Sequence, residues 1–201
     1  MPTIDEILSF DDSPPPPGAS PWVVEPVVAP ITLVDYDPSW PAQAAAVAAR
    51  IAAALGTRAL RIEHVGSTSV PGLPAKPVID LDLTVAAPAH EAGWLPQLQA
   101  AGFVLTVREP WWHEHRLVRG AAPAANVHVF GPDSPETVKH TVFRDWLRSS
   151  AADRELYAAA KREAAEATTR GRGLVMDYNQ RKEGVIREIY GRAFRAAGFL
   201  D

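Results

Sequence analysis

The segment I-D-L-D-L-T, residues 79–84, alternates between apolar and polar positions. Successive side chains of a β-strand point to opposite faces, so every second residue shares a face. One face would carry Ile79, Leu81 and Leu83, and the other Asp80, Asp82 and Thr84. The pattern therefore predicts a strand that buries its apolar face and directs two carboxylates to the opposite one.

Short apolar runs between turn-forming residues predict six further strands. They are W-V-V at 22–24, I-T-L-V at 31–34, R-A-L-R-I-E-H-V at 58–65, F-V-L-T-V at 103–107, H-R-L-V-R at 115–119 and A-N-V-H-V-F at 125–130. Asp37 and Pro38 predict the start of a helix that Gly56 ends, because Asp caps a helix and Pro fits its first turn. A short helix is expected at 90–102, weakened by Pro96.

After Gly131, apolar residues recur every three or four positions and predict helices. One begins at Ser134, a second runs from about Asp153 to Thr169, and the last from about Asp177 to Ala197. The charge pattern of residues 151–166 is typical of a solvent-exposed helix with salt bridges.

Strands early in the chain and helices late in it predict an α/β (α+β) fold. We expect a mixed twisted β-sheet flanked by helices, with a helical C-terminal subregion. Residues 1–21 differ in composition: Thr3 and Glu6 have the spacing of a helix capping box, and S-P-P-P-P-G-A-S-P follows at 13–21. They predict a flexible proline-rich arm, which either spaces the domain or recruits a partner, before a single domain at 22–201.

Composition narrows the possible functions. The chain has 201 residues, a net charge of -4, a pI near 5.9 and no cysteine. A broad nucleic-acid surface is not expected, and thiolate chemistry is excluded. The sequence has neither a signal-peptide pattern nor an apolar run long enough for a membrane span, so a cytoplasmic protein without a membrane partner is expected.

The candidate chemistry lies at residues 64–83. Two carboxylates on one strand face repel, and a hard divalent cation, Mg²⁺ or Mn²⁺, is the usual remedy for a pair such as Asp80 and Asp82. The turn Gly66-Ser67-Thr68 offers backbone N–H groups and hydroxyls to an anion. Lys76, held between two prolines, could reach a phosphate, and His64 could donate to one or be satisfied by the backbone.

Other residues leave alternatives open. His113 and His115 could share a zinc ion, and Trp111 and Trp112 could stack a base or cover an edge of the core. Lys139, His140 and Arg144 recur along one predicted helix and either line a pocket or form a solvated face.

The segment E-H-V-G-S-T-S-V-P-G-L-P-A-K-P-V-I-D-L resembles the signature of the GrpB family. V-D-Y-D-P-S-W-P, N-V-H-V-F, F-R-D-W-L-R and Y-N-Q-R-K-E-G-V-I-R-E-I agree in order, so the resemblance covers about residues 31–192. It implies a sheet of the nucleotidyltransferase type, as in the polymerase β superfamily.

The resemblance also implies roles for single residues. Gly66 and Ser67 would hold the phosphate oxygens of an NTP, and Tyr178, Arg181 and Lys182 would be substrate contacts. Thr68, Lys76 and Arg144 are candidate substrate contacts on their own chemistry and position, not on the resemblance. Asp80 and Asp82 would be catalytic residues that bind Mg²⁺ or Mn²⁺, and a nucleotidyl group would pass to an unknown acceptor.

One departure from the superfamily pattern matters. A third carboxylate is expected on a later strand, but A-N-V-H-V-F offers Asn126 and His128 there. Either His128 is the third metal ligand or the two-metal site is incomplete. The alternative function is a non-catalytic protein that binds a nucleotide or another phosphorylated small molecule on the same fold.

Overall fold

The sheet of this protein has five strands in the part of the chain that its computed structural model describes, residues 1–10 and 15–200. They are β1 (Arg61–Val65), β2 (Ile79–Thr84), β3 (Phe103–Glu109), β4 (His115–Ala121) and β5 (Ala124–Phe130). Their spatial order is β1-β2-β5-β4-β3, with β2 and β5 parallel and the other neighbours antiparallel. The prediction of a mixed sheet is confirmed.

Helices flank the sheet, as the α/β (α+β) prediction requires. They are α1 (Ile4–Leu8), α2 (Trp40–Leu55), α3 (Leu95–Ala100), α4 (Pro135–Ser149), α5 (Ala151–Arg170) and α6 (Val175–Ala196). The last three follow one another without a strand between them and form the expected helical C-terminal subregion. Pro96 does not break α3, because it lies in the first turn, where a missing N–H costs no hydrogen bond.

The main core lies between the sheet and α2. The inward residues of β2, Ile79, Leu81 and Leu83, are buried against the apolar stripe of α2 that includes Val47 and Ile51. The opposite face of β2 therefore carries Asp80 and Asp82, and helices α4, α5 and α6 enclose a second apolar cluster beyond it. The alternation of β2 thus places its polar residues between the sheet and the C-terminal helices.

Two predicted strands are wrong. Residues 22–24 and 31–34 form only isolated bridges, Trp22 with Val107 and Val34 with Ala75. Pro21, Pro26 and Pro30 interrupt this stretch, and a proline cannot donate to a strand ladder.

The N-terminal residues contact the domain. The predicted capping box is present: Glu6 N–H donates to Thr3 Oγ1 at 3.3 Å, and Thr3 N–H donates to Glu6 Oε2 at 2.7 Å. Ile7 is buried against Tyr190 and Phe194 of α6. The division into an arm at 1–21 and a domain at 22–201 stays a prediction, and Ser13 and Pro14 of its proline-rich stretch lie outside the described residues.

The expectation of an exposed helix at 151–166 is wrong for one of its faces. One face of α5 is buried because α6 packs along it. Its buried residues are Tyr157, Ala158, Lys161, Ala164 and Ala165.

Within the described residues, no helix is both long and apolar enough to cross a membrane.

Candidate functional site

The Gly66 turn lies against the carboxylate of Asp80. Gly66 has a φ of 66°, and a Cβ at this position would lie 2.6 Å from Asp80 Oδ2. Both the backbone conformation and the close approach therefore require glycine. The turn and the first aspartate of the sequence motif form one unit, although 14 positions separate them in the chain.

Parallel pairing of β2 and β5 aligns the predicted polar residues. Asp80 lies beside Asn126, and Asp82 beside His128. Asn126 Nδ2 donates a hydrogen bond to Asp80 Oδ1 at 2.9 Å. Burial raises the pKa of Asp80, while the Asn126 hydrogen bond and the charge of Lys76 oppose that rise.

Asp82 is paired with a histidine from α4. Its two carboxylate oxygens lie 2.9 and 3.1 Å from His140 Nδ1, and Asp82 itself is 2% exposed. Burial of His140 lowers its pKa, but the charge and hydrogen bonding of Asp82 outweigh this and raise the pKa to about 9. The imidazolium of His140 therefore supplies the positive charge that the sequence analysis assigns to a metal ion.

A cavity of about 380 Å³ opens between the sheet and the C-terminal helices. This volume is within the range of small-molecule sites, roughly 300–1,000 Å³. Its lining includes the predicted Gly66, Ser67, Thr68, Asp80 and His128. Three of the chain's four lysines, Lys76, Lys161 and Lys182, also line it. The cavity thus concentrates primary amines that are almost absent from the rest of the protein.

Two tyrosines form the surface on which these amines lie. Lys182 Nζ is 4.0 Å from the ring centroid of Tyr178, and Lys76 Nζ is 5.5 Å from the same ring. Lys161 Nζ lies 5.4 Å from the ring centroid of Tyr157. Cations favour the faces of aromatic rings, so the arrangement offsets part of the repulsion among the amines.

Burial and mutual repulsion make these amines easier to deprotonate. Burial, together with the charge of Lys76, lowers the pKa of Lys182 to about 7. The pKa of Lys76 is also lowered by burial, and that of Lys161 lies well below its ordinary value because of burial and the charge of Lys182. Asp80 is the acidic residue whose charge opposes all three shifts.

Lys161 has no hydrogen-bond partner in the described part of the chain. The residue is 2% exposed, and its Nζ is enclosed by protein atoms. Lys139, the fourth lysine, is equally buried but donates to Ser9 O and to Glu136 Oε1. Buried amines normally have such partners, so Lys161 differs from Lys139 in being a buried amine without one.

A chain of hydrogen bonds reaches the cavity from the sheet. His115 Nδ1 lies 2.7 Å from Glu109 Oε2, and His115 Nε2 lies 3.0 Å from His128 Nδ1. The tautomers of His115 and His128 decide which of the two rings donates in the contact between them. The pKa of His128 lies well below its ordinary value, chiefly through burial.

Two predicted substrate contacts lie elsewhere. His64 Nε2 is 3.0 Å from Thr68 Oγ1, and burial followed by the charges of Arg148 and Arg144 lowers its pKa to about 4. Arg144 donates to Glu63 Oε2 and to the His64 carbonyl oxygen, and it lines a second, more apolar cavity of about 270 Å³. The roles of His64 and Arg144 as substrate contacts stay predictions, whereas Tyr178 lines the first cavity with the lysines.

The residues predicted to bind a divalent cation have other partners in this arrangement. Asp82 is paired with His140, His128 Nδ1 is bonded to His115, and Asp80 faces the lysines. Over residues 1–10 and 15–200, no group of three or more His, Cys, Asp or Glu is placed to hold a metal ion. The predicted requirement for Mg²⁺ or Mn²⁺ stays a prediction.

The structure bears on the alternatives left open at residues 111–115, a shared zinc ion for the histidines and base stacking or core covering for the tryptophans. His115 belongs to the hydrogen-bond chain, while His113 Nε2 lies 3.7 Å from Glu136, so the two histidines do not share partners. Trp112 packs edge-on against His115 and Phe130, which is the covering role considered for it. Stacking of a base by Trp111 or Trp112 stays a prediction.

Sequence reasoning did not assign Lys161, Tyr157 or the Glu109–His115 pair to the site, and it left His140 undecided. One signal could have found Lys161: it is a lysine in a protein whose other cations are nearly all arginine, four residues after Tyr157 and on the same helix face. The pairing of His140 with Asp82 spans 58 positions, and no local pattern encodes it.

The fold and the cavity define an α/β protein with a lysine-lined site between a mixed sheet and three helices. The sequence matches the family described as GrpB protein over residues 30–192. The chain belongs to the GrpB family.

Relatives agree with this assignment. The UPF0157 protein BH1888 of Halalkalibacterium halodurans is 44% identical over 170 residues, covering 85% of this chain and 86% of that protein. The crystal structure of conserved protein GrpB from Enterococcus faecalis has a TM-score of 0.69 at 26% identity, covering 83% of this chain and 99% of that one. A dephospho-CoA kinase of Mycolicibacterium paratuberculosis is 35% identical, and the match spans 83% of this chain but only 46% of the kinase.

Proposed function

We propose that this protein binds a phosphorylated small molecule, such as an NTP, in the lysine-lined cavity. The observation that carries the proposal is Lys161, a buried amine that lines the cavity without a partner. In a desolvated site an anion attracts nearby cations far more strongly than in water. A phosphate group would therefore be stabilised there by the charged forms of the amines nearest to it.

The groups around Lys161 support a phosphate, rather than another anion, as the ligand of the cavity. The Gly66 turn, with Ser67 and Thr68, lines the same cavity as Lys76 and Lys182. Hydroxyl and amine donors arranged in a concave site match the oxygens of a phosphate. Relatives named dephospho-CoA kinase support the inclusion of dephospho-CoA among the ligands to be tested.

Thermal unfolding with pyrophosphate, ATP and dephospho-CoA, each without divalent metal, tests the proposal. A ligand that binds only the folded state stabilises it by about 2.7 kcal/mol at 100 times its dissociation constant. Lys161→Met should abolish the ligand-induced rise in melting temperature. The same variant should be more stable than wild type without ligand, because it removes an unpaired buried amine.

Lys139→Met is the matched control. It should lower the melting temperature, since it breaks two hydrogen bonds, but it should keep the full ligand-induced shift. Equal shifts in wild type and Lys161→Met would contradict the proposal, as would no shift with any of the three ligands.

Mg²⁺-dependent nucleotidyl transfer is the second candidate. The contact between the Gly66 turn and Asp80 favours it, because phosphate donors and a carboxylate share one cavity. Asp82 would have to exchange His140 for a metal ion. Pyrophosphate release from NTPs tests this candidate. Release that appears only with Mg²⁺ or Mn²⁺ and is lost in Asp80→Ala would support it, and no release would count against it.

The expected cytoplasmic location stays a prediction.

A further inference from the structure

We propose that Lys182 is a nucleophile that forms an imine with the carbonyl group of a phosphorylated aldehyde or ketone. This inference rests on the proposed function, since the phosphate of the ligand would be held by the neighbouring amines. It adds a covalent reaction and a narrower class of ligand.

The geometry separates the roles of the three lysines. Lys182 is 7% exposed and lines the cavity, with no hydrogen bond or ion pair within the described residues. Lys161 Nζ is enclosed by protein atoms and less open to attack on a ligand. Lys76 follows the Gly66 turn in the chain and lines the cavity beside it. A ligand phosphate near Lys76 and the turn would direct the rest of the molecule toward Lys182.

The surroundings of Lys182 favour its neutral form. The charge of Lys76, from the loop before β2, lowers the pKa of Lys182, and Asp80 of β2 is the opposing carboxylate. The amine of Lys161 from α5 also lies near it. Tyr178, one turn earlier in α6, presents its ring face at 4.0 Å. Desolvation and neighbouring cations are the two general ways in which a protein activates a lysine amine.

The magnitude of this activation is large. Burial and the charge of Lys76 lower the pKa of Lys182 to about 7, so a substantial fraction of its amine is neutral at neutral pH. A lysine with the ordinary pKa of about 10.4 is neutral in roughly one molecule in a few thousand at that pH. Lys182 should therefore react with carbonyl compounds far more readily than an exposed lysine.

The reaction balances without an external oxidant or reductant. The Nζ lone pair attacks the carbonyl carbon, and the C=O π electrons move to oxygen. Proton transfer from nitrogen to oxygen gives a carbinolamine. Its C–O bond then breaks as water leaves, the C=N bond forms, and the net products are one imine and one water molecule.

Pyridoxal 5′-phosphate is a suitable probe, because it combines an aldehyde with a phosphate and its imine absorbs visible light. The full chain is incubated with the probe, reduced with borohydride and mapped by peptide mass spectrometry. The chain has only four lysines and the α-amino group of Met1, so every adduct can be assigned. We expect at least about tenfold more adduct on Lys182 than on Lys139, and suppression by pyrophosphate.

Lys182→Arg tests the inference, because it keeps a positive charge but cannot form an imine. It should lose the adduct, while the pyrophosphate-induced rise in the melting temperature of wild type tests the proposed function separately. Lys139→Arg should label as wild type does. No adduct in a protein that pyrophosphate still stabilises would overturn the inference alone, as would an adduct mainly on Lys76, Lys161, Lys139 or Met1.

Two further outcomes are decisive. If neither an adduct nor a pyrophosphate-induced shift is seen, the proposed function fails together with the inference. If pyridoxal without its phosphate labels Lys182 as well as the phosphorylated probe does, the amine is reactive but the assignment to phosphorylated carbonyl compounds is overturned.

Discussion

His140 Nδ1 lies within hydrogen-bonding distance of both carboxylate oxygens of Asp82, at 2.9 and 3.1 Å. This contact joins α4 to the polar face of β2, at the position where the sequence motif suggests a metal ion. An imidazolium carries one charge, whereas Mg²⁺ carries two and needs oxygen ligands in an octahedral shell. The second aspartate therefore has a structural partner within the chain itself.

The pairing predicts how stability depends on pH. The pKa of His140 is about 9 in the folded protein and about 6.5 when unperturbed. Its contribution to stability is thus fully present below about pH 6.5 and is lost as the pH rises through about 9. His140→Asn should lower the free energy of unfolding by about 3 kcal/mol at pH 6 and much less at pH 10.

Urea unfolding of wild type and His140→Asn at several pH values measures this difference. Because the comparison is between two proteins at the same pH, the titration of other groups largely cancels. A difference that stays constant from pH 6 to pH 10 would show that the imidazolium of His140 does not contribute in this way.

Gly66 gives a second prediction. Gly66→Ala places a methyl group 2.6 Å from Asp80 Oδ2 and also strains a φ of 66°. Strain of this kind costs about 1–3 kcal/mol, and the steric clash adds to it. Gly56 also has a positive φ, at 56°, but has no atom within 4 Å of an added Cβ.

Gly56→Ala is therefore a control for backbone strain alone. Both variants should unfold at lower denaturant concentration than wild type, and Gly66→Ala should lose more stability of the two. Gly66→Ala should also weaken pyrophosphate binding, whereas Gly56→Ala should not. Equal losses would mean that Asp80 and the turn adapt to the added methyl group without cost.

Much of the fold follows from local sequence patterns. The alternation of β2 fixes which residues face α2, and Asp80, Asp82, Asn126 and His128 do come together because β2 and β5 pair in parallel. The strands predicted at 22–24 and 31–34 show the limit of such patterns. A short apolar run becomes a strand only if a partner and free N–H groups are available.

The site is less predictable than the fold. Lys161 lies in a run of charged residues that favours a surface helix, and packing against elements distant in the chain, α6 among them, buries it. His140 and Glu109 reach the site through contacts between elements that are distant in the chain. Patterns within one element cannot encode which neighbour covers it, so the amines and their partners become visible only in three dimensions.

The N-terminal helix gives a third prediction. Ile7 is 5% exposed and packs against Tyr190 and Phe194, while Ile4 of the same helix is 52% exposed. Ile7→Ala should lower the free energy of unfolding by about 2–4 kcal/mol, and Ile4→Ala by about 0.5 kcal/mol or less. Urea denaturation of both variants measures the contrast. Equal, small effects would indicate that α1 leaves the domain in solution, as expected for a free arm.

The lysine cluster gives the last prediction, a pH dependence of anion binding. The pKa of Lys182 is about 7 without a ligand, so raising the pH above 7 removes a positive charge that an anion needs. Sulfate is a suitable probe, because its own charge is constant over this range. Its affinity should fall by up to about tenfold per pH unit above pH 7 if one proton is linked to binding.

Lys182→Arg should flatten this dependence, since a guanidinium stays protonated throughout. Isothermal titration of sulfate at pH 6, 7, 8 and 9 measures both proteins, and two buffers of different ionisation enthalpy count the protons taken up. Wild type should take up close to one proton at pH 8, and Lys182→Arg fewer. Affinity that does not change with pH in wild type would mean that Lys182 keeps its charge in the empty cavity, and the nucleophile proposed for imine formation would then be absent at neutral pH.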